Sequence, residues 1–293
     1  MNEYIKNPKR LFIPFAARGF FRWLDDETFL KISYWARGKG KLDLKSPKRF
    51  NDKLQWMKAN DHNPLYTKLV DKYEVKEYVE KKIGAEYVIP LLGIYDSEKE
   101  INFDALPSQF VLKCTHGSKC NVICKNKENL DINKTKRDLK KWLRMNWYDF
   151  GREWPYKNVK PRVLAEEYVE DESGELRDYK VMCFEGKPYL IQIHMGRFGN
   201  LHTQDYYDTD WNKLDIIQGS VMSNITLPRP AFLEEMIALS SKLAEGLHEV
   251  RVDWYHANGK LIFGEMTFFD ASGYDDFEPD EWNEKLGSMI NIP

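Results

Sequence analysis

The chain has 293 residues, 42% of them hydrophobic and 31% charged, with a formal net charge of -2. That balance belongs to an ordinary globular protein long enough for a full core and two lobes, and it excludes a disordered chain. The near-zero charge removes the global basic field that would argue for nucleic acid, and no apolar run approaches the length of a bilayer span.

The N-terminus runs from Met1 into charged sequence, and Pro14 and Arg18 interrupt the apolar stretch 12–21, so no secretory signal is expected and a cytoplasmic location is. Residues 10–60 read as helical segments carrying Phe20, Phe21, Trp23, Phe29, Leu30, Ile32, Tyr34 and Trp35. Core packing is the default for such residues. The basic side chains beside the aromatics of 12–23 also suit a helix lying on the inner face of a membrane, as a peripheral contact. From Asp71 onward, Val75, Tyr78, Val79 and Ile83 recur at helical spacing, Glu74 stands three residues after Asp71 as in a capping box, and Gly84 follows the last turn.

A strand-like segment at 87–95 leads to an alternating pair, 109–115 and 120–125. Lys113 stands just before the turn His116-Gly117-Ser118-Lys119, whose backbone N–H groups and lysine charge could meet a polyphosphate. It is not a P-loop, because a strand follows the glycine instead of a helix. The alternative is a hairpin with surface lysines. Alternation puts Cys120, Val122 and Cys124 on one face. Cys114, Cys120, Cys124 and Cys183 form no Cys-x-x-Cys pair and have no His companion at zinc spacing, so they read as buried free thiols. Residues 131–147 read as a basic amphipathic helix with Leu139, Trp142 and Leu143 toward the core.

Residues 163–170 are strand-like and turn polar at the end. Glu166, Glu167, Tyr168 and Val169 could read a nucleotide: adenine needs a backbone donor and acceptor from an extended segment, an apolar wall and a nearby carboxylate for the ribose. An ordinary strand whose acids face water is the alternative. Arg177-Asp178-Tyr179-Lys180 then opens a hairpin of 181–184 and 188–193, turning at Glu185-Gly186-Lys187. Alternation groups Asp178, Lys180, Met182 and Phe184, where Lys180 either snorkels or acts. Asp208-Thr209-Asp210 matches the D-x-D element of metal-dependent sugar-nucleotide chemistry, within aromatic, turn-forming sequence that reads as a surface turn.

The last hairpin is divided by Asn258-Gly259. A two-residue turn there would put Glu265 on the face opposite Asp253. A three-residue loop ending with Gly259 in the left-handed conformation puts Arg251, Asp253, Phe263, Glu265 and Thr267 on one face and Val250, Val252 and Trp254 on the other, and this is the reading adopted. Carboxylates projecting together from apolar strands are costly unless a cation compensates them, and such oxygen donors suit Mg²⁺ shared with phosphates. The alternative is a solvated outer face with unrelated acids.

In succession, a lysine before a short glycine loop, a Glu-Glu-Tyr-Val edge, an Asp-Tyr-Lys strand and an Asp…Glu-x-Thr hairpin resemble the ATP-grasp fold. More specifically, Asn63-Pro64-Leu65-Tyr66-Thr67-Lys68-Leu69-Val70-Asp71-Lys72, Lys113-Cys114-Thr115-His116-Gly117-Ser118 and Gly264-Glu265-Met266-Thr267-Phe268 resemble the teichuronopeptide-biosynthesis type of ATP-grasp protein from bacterial surface polysaccharide clusters, over residues 45–293. The resemblance implies an α+β fold in which two lobes, about 64–167 and 168–293, clasp ATP behind an N-terminal helical region at 1–63. It implies Lys113 and Lys180 on phosphates beside His116, Gly117 and Ser118, and Glu166, Glu167, Tyr168 and Val169 along adenine. Asp253 and Glu265 would hold one or two Mg²⁺, with Thr267 where an Asn ligand is usual.

The implied chemistry is activation of a carboxylate by the γ-phosphoryl of ATP, giving an acyl phosphate that an amine attacks. Lys180 would act on the phosphoryl, while Arg251 or Arg197 would orient the carboxylate or steady the oxyanion. The family context implies a uronic acid of a surface polysaccharide or its precursor, and a small amine or amino acid as partner. Ser272, Gly273 and Tyr274 would line the acceptor side. The rivals are a sugar kinase with the same ATP site, a glycosyltransferase using the D-x-D element, and a non-catalytic scaffold.

Overall fold

Side-chain oxygens mark where helices begin. Asp25 accepts the Thr28 N–H (2.9 Å) and Asp131 the Lys134 N–H (2.8 Å), each satisfying a donor that a first turn leaves free. The computed structural model describes residues 7–170, 177–196 and 202–293. Ahead of the first strand come α1 (Phe12–Ala16), α2 (Asp26–Ala36), α3 (Phe50–Asn60), α4 (Pro64–Val70) and α5 (Glu74–Ile83). The expected cap at Asp71 is present: Oδ1 accepts from the Tyr73 and Glu74 N–H groups (2.8 and 3.3 Å), and Gly84 ends α5.

Then follow β1 (Leu91–Tyr95), β2 (Phe110–Cys114), β3 (Asn121–Cys124), α6 (Ile132–Trp142), α7 (Tyr148–Gly151) and β4 (Val163–Glu167). The strands make an antiparallel sheet in the order β1-β4-β2-β3. The strand expected from 87 starts only at Leu91, since Ala85–Tyr87 is a single helical turn and Pro90 has no N–H for a ladder. Helix α6 stops at Trp142 instead of 147, and the chain restarts as α7 where Asn146 accepts the Tyr148 N–H (3.0 Å). Leu139, Trp142 and Leu143 pack against this sheet as the spacing predicts. All four cysteines are buried free thiols.

The remainder comprises β5 (Asp178–Phe184), β6 (Lys187–Met195), β7 (Thr203–Asp208), β8 (Lys213–Leu214), α8 (Leu233–Ala244), β9 (Glu249–Ala257), β10 (Lys260–Thr267) and α9 (Glu281–Ser288). Its strands form a second antiparallel sheet in the order β10-β9-β5-β6-β7-β8. Val181, Ile191, Val252 and Trp254 share one face, which α8 covers, Trp254 donating its indole N–H to Ser240 (2.8 Å). On the other face, the Phe184 end lies under α3, where Phe50 packs edge-on against Phe184 and Phe277 (6.1 and 5.5 Å). The rest of that face looks across a cavity to the smaller sheet.

Residues on both sides of the boundary expected at 63 share the larger core: Phe50, Leu54 and Met57 of α3 lie with Tyr66, Leu69 and Val70 of α4 and with Val75 and Val79 of α5. A satellite core holds Ala16, Phe29, Leu30, Tyr34, Leu42 and Leu44 against Tyr274.

Candidate active site

The last hairpin closes in two residues, not three. Ala257 pairs with Lys260, and Asn258 (φ 53°) and Gly259 (φ 70°) are both left-handed, as a type I′ turn requires. That turn alone would send Asp253 and Glu265 to opposite faces. A β-bulge at Gly264 restores them: Trp254 pairs with Phe263, Asp253 pairs with Glu265, and Gly264 is the extra residue. Close approach demands glycine here, since a Cβ would stand 3.1 Å from the Asp253 carbonyl oxygen. Phe263 is thereby corrected to the core, packed edge-on against Trp254 (6.1 Å), while Arg251, Asp253, Glu265 and Thr267 do share a face.

Register extends this face into a row. Glu265, Asp253, Lys180, Gln192 and Tyr206 are successive cross-strand partners on β10, β9, β5, β6 and β7. Above it lies a cavity of about 770 Å³, walled opposite by Lys113, Ser118, Asn121 and Glu166 of the smaller sheet and its turn.

The lysines that face this cavity from the two sheets, together with Lys72 and Lys76, all meet carboxylates. Lys180 is ion-paired with Asp253, and Lys72 donates to Glu265 (2.8 Å). Across the cavity Glu166 takes both Lys113 and, at 3.2 Å, Lys76. Burial opposes charge on Glu265, but Lys72, Lys180 and Arg251 outweigh it and hold the carboxyl well below the usual range. Burial likewise opposes charge on Glu166, and Lys113 and Lys76 hold its pKa down. Arg251 donates from Nε and Nη2 to the two Asp253 oxygens (2.7 and 2.9 Å), from Nη1 to Asp270, and from Nη2 to Thr267 Oγ1 (3.3 Å). Its guanidinium thus lines the cavity while bonded to two protein carboxylates, the geometry of a side chain that positions Asp253 and Asp270.

Among the described residues, no group of three or more His, Cys, Asp or Glu could enclose a metal ion. Two opposed carboxylates suit a hard cation that completes its shell with phosphate oxygens and water, and Asp253 with Glu265 fits that requirement. Thr267 lines the same cavity beside Arg251, its hydroxyl accepting from the guanidinium.

Several expected residues stand elsewhere. His116 is buried behind the wall, its Nε2 3.1 Å from the Trp142 carbonyl oxygen, and burial lowers its pKa. Gly117 packs against Trp147, 3.0 Å from where a Cβ would lie. Of the phosphate-turn residues, Ser118 and Lys119 reach the cavity. Of the four expected along adenine, Glu166 lines it, whereas Glu167 is exposed at the end of β4, Tyr168 bonds Glu170 (2.7 Å), and Val169 lies beyond the lining. Arg197 lies outside the described residues. Asp208 accepts the Asp210 and Asn212 N–H groups (3.0 and 2.7 Å), so the D-x-D element is the turn between β7 and β8.

Ser272 reaches the cavity from an unusual loop. Ala271 (φ 46°), Ser272 (φ 54°) and Gly273 (φ 64°) are left-handed in succession, a conformation that costs energy for the two non-glycine residues and must be held. Helix α3 holds it. Lys58 donates to the Ser272 carbonyl (2.7 Å) and hydroxyl (3.0 Å), and Gln55 donates to the Gly273 carbonyl (2.7 Å). Burial brings Lys58 down to about 7, against the pull of Glu153. Gly273 is buried within this loop, and Tyr274 is buried behind it beside Tyr34.

Sequence reasoning missed Lys76, Glu153, Gln192, Gln204 and Gln218, all of which line the cavity, and assigned no role to Lys72. A signal for Lys72 existed in its place next to the capping Asp71. That cap fixes the chain, Lys72 N–H meets the Thr115 carbonyl (3.1 Å), and the side chain is delivered beside the end of β2.

Among solved structures, the chain is similar to D-alanine–D-alanine ligase from Bacillus anthracis complexed with ATP, at 16% identity and TM-score 0.46, covering 76% of this chain and 65% of that one. It is also similar to the ATP-grasp ligase PsnB complexed with minimal precursor, at 12% identity and TM-score 0.40, with coverage of 73% and 59%. A third is the D-cycloserine synthetase DcsG, at 15% identity and TM-score 0.40, with coverage of 70% and 63%. The chain therefore spans less than two thirds of the length of each of these structures. No curated protein matches it. The model of the TupA-like ATP-grasp family matches residues 52–291, a span that includes both sheets and every lysine and carboxylate of the cavity, and the chain belongs to that family.

Proposed function

We propose that this protein is an ATP- and Mg²⁺-dependent ligase that joins a carboxylate to an amine through an acyl phosphate. The observation that supports it most is the row Glu265, Asp253 and Lys180 facing Lys113 across the cavity of an ATP-grasp family member. Lys113 and Lys180 come from different sheets and would grip the phosphates from opposite sides. Asp253 and Glu265 would hold Mg²⁺, which when bound offsets charge on the transferring phosphoryl. The lysines are matched to carboxylates beforehand, so binding exchanges lysine–carboxylate contacts for lysine–phosphate and carboxylate–cation contacts, and no buried charge is left uncompensated.

In the reaction, a carboxylate oxygen of the substrate attacks the γ-phosphorus and ADP leaves. The amine then attacks the acyl carbon, phosphate departs with that oxygen, and the amine gives up a proton. Lys180, in register between Asp253 and Gln192, would steady the oxyanion formed in the second step. For substrates we propose a uronic acid of a bacterial surface polysaccharide or its precursor, with a small amine or amino acid as acceptor. This rests on the resemblance carried by residues 63–72, 113–118 and 264–268.

Label transfer tests the mechanism. With ¹⁸O in the carboxylate of glucuronate, ATP, Mg²⁺ and a panel of amines, one labelled oxygen is expected in the released phosphate. Complete retention of label in the amide while ADP forms would refute the acyl phosphate, and phosphate remaining on the sugar would identify a kinase.

We further propose a peripheral membrane contact. Leu11, Phe15, Phe20, Trp23 and Trp35 are exposed, Trp23 by 77%, and Lys9 and Arg18 lie beside them in the chain. An anionic bilayer would cover the aromatics and meet the charges. Among the described residues, no helix is long and apolar enough to cross a membrane. Cosedimentation with phosphatidylserine vesicles should fall by about tenfold in Phe20→Ala/Trp23→Ala. Equal sedimentation of the variant and the parent would remove this proposal.

A further inference from the structure

The charged row does not end at Lys180. On the neighbouring strand its partner is Gln192, which opens a group of amides in a cavity that His194, Asp270 and Asp275 also line. Gln192, Gln204 and Gln218 all line the cavity, and each is buried, with 2, 5 and 3% exposure. They are organised by the Tyr206 hydroxyl, which accepts from Gln192 Nε2 and Gln204 Nε2 (both 2.8 Å) and donates to Gln218 Oε1 (2.6 Å). Gln218 Nε2 in turn reaches the Asp275 carbonyl (3.3 Å).

Three buried amides around one phenol are an expensive floor for a sheet whose opposite face uses Val181, Ile191 and Ile193. The network is also incomplete: Gln192 Oε1 is buried with no hydrogen-bond partner among the described residues. A structural network would be expected to close on itself.

We propose that Gln192, Gln204 and Gln218 form the subsite for the part of the substrate next to its reacting carboxylate, and that this part is a neutral, polyhydroxylated ring. The inference rests on the ligase reading for where the carboxylate sits, beside Lys180 and the two acids. Adjacent strands lie about 4.8 Å apart, so a carboxylate at Lys180 leaves a ring attached to it over Gln192 and its neighbours. Amides donate and accept without charge, which matches ring hydroxyls. The Asp275 carboxylate, which also lines the cavity, can accept from a further hydroxyl. A free sugar acid and the end of a glycan chain share this chemistry.

Direct binding to the protein saturated with ADP and Mg²⁺, followed by saturation-transfer NMR, tests the subsite independently of turnover. The probes are glucuronate, a glucuronate-terminated disaccharide, and cyclohexanecarboxylate, which keeps the ring and acid but lacks the hydroxyls. Glucuronate or the disaccharide should bind at least about tenfold more tightly than cyclohexanecarboxylate, the tighter of the two identifying the source. Gln192→Ala and Gln218→Ala should each weaken sugar-acid binding by about tenfold and leave cyclohexanecarboxylate and ADP unchanged, the ADP titration confirming that the variants are folded. Gln218 lies outside the strands, so its variant spares the sheet. Equal affinity for hydroxylated and unhydroxylated acids, no binding of either, or undiminished sugar-acid binding in both folded variants would overturn the inference. Failure of the ligase reading looks different: the sugar acid binds but no ADP is formed with any amine.

Discussion

Glu265→Gln is expected to lower the rate of ADP formation at saturating ATP and Mg²⁺ by at least about a hundredfold, with ATP affinity changed by less than about tenfold. The side chain keeps its shape and its place opposite Asp253 but loses the charge that three cations now hold ionised. On the proposed reading ATP would also be held by Lys113 and Lys180, so most of the binding should survive, whereas the charge that develops on the transferring phosphoryl would depend on what the acids hold. Asp253→Asn should behave alike, because both oxygens of Asp253 are already oriented by Arg251 and an amide can accept at only one. Rapid-quench measurement of ADP beside equilibrium nucleotide binding checks both. Turnover within about threefold of the parent in either variant would show that these carboxylates do not act on the phosphoryl.

Arg251→Leu should have the largest effect on stability, a loss of about 3–5 kcal/mol in denaturant unfolding. The guanidinium is buried between Asp253 and Asp270 and approaches Glu265 at 3.7 Å, so its removal brings acids together with only Lys180 and Lys72 to compensate them. Burial works against charge on Arg251, yet the acids outweigh it and raise its pKa further. Arg251→Lys should lose less than Leu but not recover the parent, because an ammonium cannot span both Asp253 oxygens and Asp270 in one plane. Adding Asp270→Asn to Arg251→Leu should restore part of the loss, since it removes one uncompensated charge. If Arg251→Leu unfolds at the parent's denaturant midpoint, the side chain is free of structural duty and its expected role toward a substrate carboxylate returns.

The two lysines, two acids and the turn near Ser118 were legible because each stands in a short alternating strand beside its own turn. Lys180 lies two residues from Asp178 and Asp253 two from Arg251, so local alternation assigns their faces. The hairpin shows how far such reasoning reaches. It placed Asp253 and Glu265 together through a three-residue loop, whereas the chain uses a two-residue turn and a bulge at Gly264, and the two differences cancel in parity. Nothing in the alternation of 260–268 distinguishes a strand that starts one residue later from one that carries an extra residue at a glycine. His116 and Gly117 stand off the cavity lining for a related reason. Their spacing in the turn is that of phosphate-binding groups, but Trp142 and Trp147 come up behind the turn from a distant segment and occupy them.

By itself the sequence determined what one strand or one helix can decide: the cap at Asp71, the apolar face of Val250, Val252 and Trp254, the free thiols, and which residues could carry charge to a site. These follow from periodicity and backbone hydrogen bonding within a few residues. Only the tertiary structure decided that Lys180 falls between Asp253 and Gln192, that Arg251 is consumed by Asp253 and Asp270, and that Lys58 of α3 clamps the loop at Ser272. Each of those depends on pairing between segments far apart in the chain, where register is set by burial of a whole face and a one-residue slip would send every side chain to the other side.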